Sequence, residues 1–285
     1  MWRFLKYPYR HFLSASHRIH CPLRIMGPAV SATDYSQLTA IISTANRPKS
    51  LRRVVQSLRR RFPELKILVA DQSREPRVPK QADLVKVPAA VGRAAALNAL
   101  LSRVRTPYFL LIDEQAELTA DSQIDRLLEL VVDDKLDVAA GDFMGCRRKF
   151  WLLVTRRPQP GHGLLEFAGD QLTLLPGHRT IGDGYAWCDL VHNFYVACTS
   201  KVRNLGGWDP DLENDEREEF FVRAHRHGLR VGLAPEVVAS LWNEPAELQE
   251  TSVDRKRLAV AKMALERMID IDGRTITAPR RAKAA

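Results

Sequence analysis

The segment that most constrains the fold is Tyr108–Gln115, where a short apolar run ends in two acidic residues. Its first five residues, YFLLI, are large and apolar, and a run this short indicates a buried strand rather than a buried helix. Asp113 and Glu114 follow directly. In open α/β sheets, ligands bind beyond the carboxyl ends of the strands. The segment therefore predicts an α/β sheet with two carboxylates at its binding edge, as a metal or phosphate site or as a cap for the next helix.

Apolar segments around this strand alternate between strand and helix patterns. Strands are predicted at residues 37–43, 65–70, 84–87, 108–112 and 136–141, and helices at residues 50–61, 94–101 and 122–132. Short connections in this order indicate a parallel, doubly wound sheet with right-handed crossovers.

Three of the predicted strands end in polar residues. Thr44, Asp71 and Asp113 follow the first, second and fourth of them. We expect these residues at one edge of the sheet, where a nucleotide commonly binds. No GxGxxG motif or P-loop follows the first strand, so a dinucleotide site is disfavoured.

The pattern changes after Asp142. Residues 142–188 contain short strand-like runs separated by proline and glycine, which indicates an irregular or antiparallel insertion. Downstream we predict a strand at 189–197, a helix at 216–227, strands at 229–233 and 237–241, and a last helix from residue 247. We expect three parts: a basic arm (1–36), a main domain (37–243), and a C-terminal helix with a basic tail (244–285).

Composition limits the class of protein. The formal charge is +9, which suits phosphate-bearing substrates or anionic membranes. None of the four cysteines forms a CxxC pair, which argues against zinc, and no apolar run is long enough to span a membrane. Residues 1–33 carry basic and aromatic residues without an acid, so they pack on the domain, contact a membrane peripherally or form a transit peptide. We expect a cytoplasmic protein that does not bind nucleic acid.

The order of these features resembles that of GT-A glycosyltransferases, which use nucleotide-diphospho-sugars. TAIISTANRP is similar to their first strand and uridine-contacting turn, ILVADQS to their second strand, and VGRAAALNALL to the helix after the diphosphate loop. YFLLIDEQ stands where these enzymes carry Asp-x-Asp. The resemblance implies an α/β, GT-A-like mixed and mostly parallel sheet flanked by helices, with a UDP-sugar as donor. It assigns donor contacts to Thr44, Asn46, Arg47, Asp71, Gly92, Arg93 and Asn98.

A narrower resemblance, to ganglioside-building β-1,4-N-acetylgalactosaminyltransferases, covers about residues 37–243. It is carried by SLRRRFPELKILVADQSREPRV, DLVHNFYVACTSKVRNLGGWDPDL and EEFFVRAHRHGLRVG. It implies that Asp189 and Asn193 face the donor sugar in one strand, and that Glu219 is the acid of a Glu-Phe-Phe helix.

The acidic triplet of that family is Asp-Asp-Asp, whereas here Asp113 and Glu114 are followed by glutamine. A late histidine that can complete the metal site is also replaced, in residues 241–243. Because Mn²⁺ and Mg²⁺ prefer anionic oxygen ligands, the metal implied at Asp113 and Glu114 would be weakly held. Arg47 and Arg93 are the alternative means of neutralising a diphosphate.

Sugar transfer also needs a base that deprotonates the acceptor hydroxyl. Glu216 and Glu219 are three residues apart and share one helical face. The resemblance favours Glu219, with Glu216 as second candidate, and the alternative is an acidic helix start stabilised by the macrodipole.

We therefore expect an inverting glycosyltransferase that moves a hexose or N-acetylhexosamine from a UDP-sugar to a hydroxyl of a glycan or glycolipid. The degenerate triplet supports an alternative, a catalytically inactive nucleotide-sugar-binding relative that acts as a partner or scaffold.

Overall fold

A computed structural model describes residues 35–149, 153–159, 161–179, 181–182, 184–213, 215–242 and 253–279. The predicted basic arm lies outside the described residues except for its last two positions, and so does the basic tail from residue 280. No helix within the described ranges is long and apolar enough to cross a membrane.

The elements are numbered in chain order. The helices are α1 (Pro48–Arg61), α2 (Arg93–Arg103), α3 (Ile124–Val132), α4 (Thr199–Asn204), α5 (Glu216–Arg226) and α6 (Val253–Lys262). The strands before residue 150 are β1 (Leu38–Thr44), β2 (Lys66–Asp71), β3 (Asp83–Leu84), β4 (Tyr108–Ile112), β5 (Ala116–Glu117) and β6 (Val138–Lys149). The later strands are β7 (Leu153–Gln159), β8 (Gly163–Ala168), β9 (Gln171–Pro176), β10 (Ile181–Gly182), β11 (Tyr185–Trp187), β12 (Phe194–Cys198), β13 (Val231–Trp242), β14 (Arg267–Ile269) and β15 (Thr275–Thr277).

The described strands form one large mixed sheet and one small sheet. The main path of the large sheet has the order β10-β11-β13-β6-β12-β4-β1-β2-β3. β1 is parallel to β2 and β4, β3 is parallel to β2, and β6 is parallel to β13. β12 is antiparallel to both β4 and β6, so strands on either side of it run in the same direction. The expected α/β fold with a mostly parallel sheet is confirmed.

Two apolar layers cover the large sheet. Alternating residues of β1 point to opposite faces, so Ile41 joins one core cluster while Ala40 and Ile42 join the other. The first cluster includes the apolar residues of α2 and α5, and the second includes those of α1 and α3. Packing of both layers on the sheet positions the strand ends and the helices that begin beside them.

Several predicted boundaries change in the structure. α1 begins at Pro48 instead of being capped by Ser50, because a proline at the first helical position is already preorganised for the helix. The two strands predicted at 229–233 and 237–241 are one strand, β13, interrupted by a register shift between Leu233 and Val238. The insertion after Asp142 is antiparallel, as expected, and its hairpins are β6–β7 and β8–β9.

The C-terminal region differs most from the prediction. The last helix ends at Lys262, and Ala264 then adopts φ +56° as the chain turns. Met268 follows Leu258, Ala261 and Leu265 at helical spacing, which predicts the same helix, but it lies in β14. β14 pairs with β15 and with β9, so the described part of this region completes the small sheet β15-β14-β9-β8.

Candidate active site

The three predicted strand ends lie at one edge of the large sheet. Thr44 and Asp71 are direct partners in the parallel pairing of β1 and β2. Asp113 follows β4, which is parallel to β1 on the other side. Its backbone N–H donates to the Asn193 carbonyl, which brings the residue before β12 to the same edge. The edge carries three described cavities, which we call the outer cavity, the middle cavity and the cleft.

The outer cavity lies beyond β1 and β2 and has a volume of about 450 Å³. Its lining includes Asn46, Asp71 and Arg74. The Asp71 carboxylate accepts hydrogen bonds from the backbone N–H groups of Ser73 and Arg77, so it shapes the loop after β2. Ser73 Oγ in turn accepts from the Asn46 backbone N–H at 2.8 Å, and Asn46 has φ +56°. These contacts connect the loop after β1 to the loop after β2 at the outer cavity.

The middle cavity is small and polar, and Thr44, Arg47, Arg93 and Glu114 line it. Arg47 Nε lies 3.5 Å from Glu114 Oε1. Thr44 Oγ1 and Arg47 Nη1 are buried and have no hydrogen-bond partner in the protein. Buried polar groups are nearly always paired. Two unpaired donors facing one cavity are therefore suited to an anionic ligand.

Burial raises the pKa of the Glu114 carboxyl to about 7, and the neighbouring charge of Asp113 adds to this effect. Arg93 and Arg47 partly offset it. Glu114 is buried and forms an ion pair with Arg47, whereas Asp113 lines the cleft.

Arg93 separates the middle cavity from the cleft and lines both. Burial opposes its charge, but the carboxylates of Glu216, Asp113 and Glu114 outweigh burial and raise the pKa of the guanidinium. Gly92, just before it, has φ +88°, and a Cβ there would lie 3.0 Å from the Glu213 backbone. Ala94 N–H donates to the Glu213 carbonyl at 2.8 Å, so this start of α2 is fixed against the loop that leads to α5.

The cleft has a volume of about 310 Å³ and lies between the sheet edge and the start of α5. Asp113 and Asn193 line one side, and Asp215 and Glu216 line another. Glu216 is 1% exposed, and its Oε2 has no hydrogen-bond partner in the protein. Burial raises the pKa of Glu216, and the charge of Arg93 partly offsets this. A buried carboxylate with a raised pKa at a cleft is suited to accept a proton near neutral pH.

Glu219 has different surroundings. Its two carboxylate oxygens accept from Arg223 Nε and Nη2, both at 2.7 Å, and it does not line the cleft. Arg223 also donates to the carbonyls of Leu205 and Gly207. The structure therefore places Glu219 in a salt bridge that supports the loop before α5, away from the predicted base position.

Two predicted donor contacts also lie elsewhere. Asn98 uses both amide atoms on the backbone of Trp208, at 2.6 and 2.9 Å. Asp189 accepts from Leu165 N–H and Arg179 and contacts His225 Nδ1 at 3.1 Å. The strand expected at 189–197 begins only at Phe194, because the chain turns at His192, whose carbonyl accepts from Phe194 N–H. Asn193 precedes the strand but lines the cleft.

Trp208 follows two glycines, a position in the sequence that suits either stacking on an acceptor sugar or packing in the core, and it is 3% exposed. Its ring stacks on Phe220 with centroids 5.3 Å apart, so it belongs to the core.

Several residues that were not assigned to the site from the sequence also line the cleft, among them His192, Asp215, Glu218 and Lys256. His192 contacts the Gln159 carbonyl at 3.0 Å, and a Cβ on Gly161 would overlap its ring. The adjacency of Asp215 to Glu216 was the available signal for Asp215. No local pattern marks Lys256, because α6 reaches the cleft only through the packing of the C-terminal segment.

The described residues form no clear site for a divalent cation by themselves, so a metal at Asp113 would depend on oxygen ligands from the diphosphate. Across the residues that the structure describes, no three His, Cys, Asp or Glu side chains are grouped so that they could hold a metal ion. Of the two predicted ligands, Glu114 pairs with Arg47, which leaves Asp113 at the cleft. Mn²⁺ and Mg²⁺ sites need several hard oxygen ligands.

Comparison with solved structures identifies the fold class of the protein. The structure of GalNAc-T7 with UDP, GalNAc and Mn²⁺ matches 80% of this chain and 48% of that chain, with a TM-score of 0.62 at 12% identity. Staphylococcus aureus TarS 1–349 in complex with UDP matches 79% of this chain and 65% of that chain, with a TM-score of 0.53. At such low identity the likeness shows the fold alone, which is the GT-A glycosyltransferase fold.

The sequence comparison then identifies the family. The model of glycosyl transferase family 2 matches residues 39–181, and the chain belongs to this family. It is 30% identical over 207 residues to "Beta-1,4 N-acetylgalactosaminyltransferase 2" of Mus musculus, and 31% identical over 210 residues to "Beta-1,4 N-acetylgalactosaminyltransferase 1" of Homo sapiens. Each match covers 70% of this chain but only 38% of the relative's length.

Proposed function

We propose that this protein is an inverting glycosyltransferase that transfers a hexose or N-acetylhexosamine from a UDP-sugar to a hydroxyl of a glycan or glycolipid. One observation carries the proposal: Glu216, whose Oε2 is buried without a hydrogen-bond partner in the protein, lines a cleft together with Asp113, Asn193 and Arg93. The family, the related N-acetylgalactosaminyltransferases and the UDP in the structural neighbours support it.

The donor would lie along the sheet edge. The outer cavity, with Asn46 and Asp71, suits the nucleoside, because carboxylate and amide groups can bond base and ribose edges. The middle cavity suits the diphosphate, because Thr44 Oγ1 and Arg47 Nη1 are unpaired donors and Arg93 adds positive charge. The donor sugar would then reach the cleft beside Asn193 and Asp113.

Glu216 would act as the base. It removes the proton of the acceptor hydroxyl as that oxygen bonds to the anomeric carbon. The bond from this carbon to the diphosphate breaks, UDP leaves with the electron pair, and the configuration inverts. Glu219, fully engaged with Arg223, is the less suitable base.

The leaving diphosphate gains negative charge, which must be neutralised. Arg47 and Arg93 are placed to do this, since guanidinium groups bind phosphate with paired hydrogen bonds. We propose that these arginines carry the role that the sequence first assigned to a metal at Asp113 and Glu114.

The acceptor would enter the cleft from the side of α5 and α6. A peripheral membrane contact through residues 1–33 would suit a glycolipid acceptor. Its support is the basic and aromatic sequence of that segment.

UDP release tests the reaction. The full chain is incubated with a panel of UDP-hexoses and UDP-N-acetylhexosamines and with glycoside acceptors, and the product anomer is determined by NMR. We expect acceptor-dependent UDP release and a β-linked product from an α-linked donor. Calorimetric UDP binding without turnover of any donor would instead support the inactive, nucleotide-sugar-binding alternative.

A further inference from the structure

The far wall of the cleft is built by the C-terminal segment, residues 253–279. Lys256 and Ala259 of α6, Met268 of β14 and Ile276 of β15 all line the cleft. None of them falls within the residues matched by the family model. The segment thus brings to the cleft the cation Lys256, the carboxylate Asp270 and an apolar surface.

This wall is held in place at two points. Lys262 Nζ contacts Asp209 Oδ2 at 2.7 Å and Asp211 Oδ2 at 2.6 Å, while Arg255 Nη1 contacts Glu213 Oε2 at 2.9 Å. Strands β14 and β9 pair in parallel on the other side of the segment. The segment is therefore fixed both to the loop that leads into α5 and to the small sheet.

Asp215, at the start of α5, and Lys256, on α6, both line this part of the cleft. It is 7% exposed, and its Oδ2 is buried without a hydrogen-bond partner in the protein. Burial raises the pKa of Asp215, and the charge of Lys256 is the largest influence in the opposite direction. Because buried polar atoms are nearly always hydrogen-bonded, this oxygen is suited to accept a hydrogen bond from a ligand hydroxyl. In the proposed mechanism, the neighbouring Glu216 accepts the proton of the attacking hydroxyl, so Asp215 remains for a different hydroxyl.

We propose that Asp215 and Lys256 form an acceptor subsite that binds a second hydroxyl of the acceptor sugar, next to the hydroxyl that attacks. This hydroxyl donates to the Asp215 carboxylate and accepts from the Lys256 ammonium. The apolar face of the same sugar ring packs on Met268 and Ile276. Apolar walls with a few directed polar groups are typical of small-molecule sites. The subsite rests on the proposed transfer reaction and selects an uncharged, polyhydroxylated sugar.

The test compares wild type, Asp215→Asn and Lys256→Met, with Lys66→Met as the matched control. Lys66 is exposed at the start of β2, opposite to the end that carries the site. The acceptor probes are methyl hexopyranosides and their monodeoxy analogues. Initial rates give KM for the acceptor and for the donor, and UDP release without acceptor reports donor hydrolysis.

Losing a charge-assisted hydrogen bond should raise acceptor KM by about ten-fold to a hundred-fold in either subsite variant. Donor KM and donor hydrolysis should be unchanged, and the control should match wild type. One monodeoxy analogue should raise KM with wild type, and the same deoxygenation should cost less in Asp215→Asn and in Lys256→Met, because each variant has already lost one of the two contacts of that hydroxyl. Unchanged acceptor KM in both variants, or a deoxy penalty in both variants as large as in wild type, overturns the subsite.

A binding measurement separates this proposal from the transfer reaction. Saturation-transfer NMR detects the methyl hexosides on the UDP-loaded protein without turnover. Binding to wild type that is lost in Asp215→Asn supports the subsite, whether or not any donor is turned over. Such binding without turnover of any donor would refute the transfer reaction alone. Turnover with wild-type acceptor KM in both variants refutes the subsite alone, and absence of both binding and turnover refutes both.

Discussion

Glu216 and Glu219 lie on one helical face but should respond differently to the loss of their charge. We predict that Glu219→Gln lowers stability while activity per folded molecule is kept. Glu219 is 6% exposed and accepts two hydrogen bonds from Arg223, so the variant loses its charge and one acceptor oxygen. Breaking a buried ion pair costs about 3–5 kcal/mol. Glutamine retains one acceptor and the Arg223 side chain is 23% exposed, so about 2 kcal/mol is the appropriate scale.

For a domain of this size, 1 kcal/mol corresponds to about 2–4 °C, so the melting temperature should fall by about 4–8 °C. Thermal unfolding followed by circular dichroism measures the shift, and UDP release below the transition measures activity. Glu166→Gln is the control, because Glu166 is exposed on β8. A Glu219→Gln protein with wild-type stability and no turnover would refute the reasoning and return the role of base to Glu219.

Three further predictions concern the sheet edge. The pKa of Glu114 is raised from its ordinary value of 4.5 to about 7. Between these pH values the folded state binds more protons than the unfolded state. The free energy of unfolding therefore falls as pH rises through this window. Glu114→Gln should remove that fall, as denaturant titrations at several pH values would show. Gly92→Ala should cost about 1–3 kcal/mol, since φ is +88° and the new Cβ would meet Glu213, and thermal unfolding measures it. Arg93→Met should weaken UDP binding in calorimetry, whereas EDTA should leave wild-type binding unchanged; strict Mn²⁺ dependence would contradict this.

The nucleotide edge was predictable because its signals are local. An apolar run followed by a polar residue marks both a buried strand and its exposed end, and this pattern placed Thr44, Asp71 and Asp113 together. In an open α/β sheet, the binding crevice then lies beyond these strand ends.

The choice between Glu216 and Glu219 as the proposed base was not predictable, because it rests on the partners of Arg223. Glu216 and Glu219 have the same residue type and helical face, and a partner four residues on takes Glu219 out of the cleft. Lys256 was missed for a related reason. Its position depends on α6 ending at Lys262 and on β14 pairing with β9, and neither event leaves a periodic pattern in the sequence.

Turnover of Glu216→Gln tests the central claim most directly, with UDP affinity measured on the same preparation. A positioned general base contributes about 10²–10⁴-fold to rate, so the variant should lose this factor while its UDP affinity matches that of wild type. Wild-type turnover in Glu216→Gln would contradict the account, because the reaction would then not need a proton acceptor at Glu216.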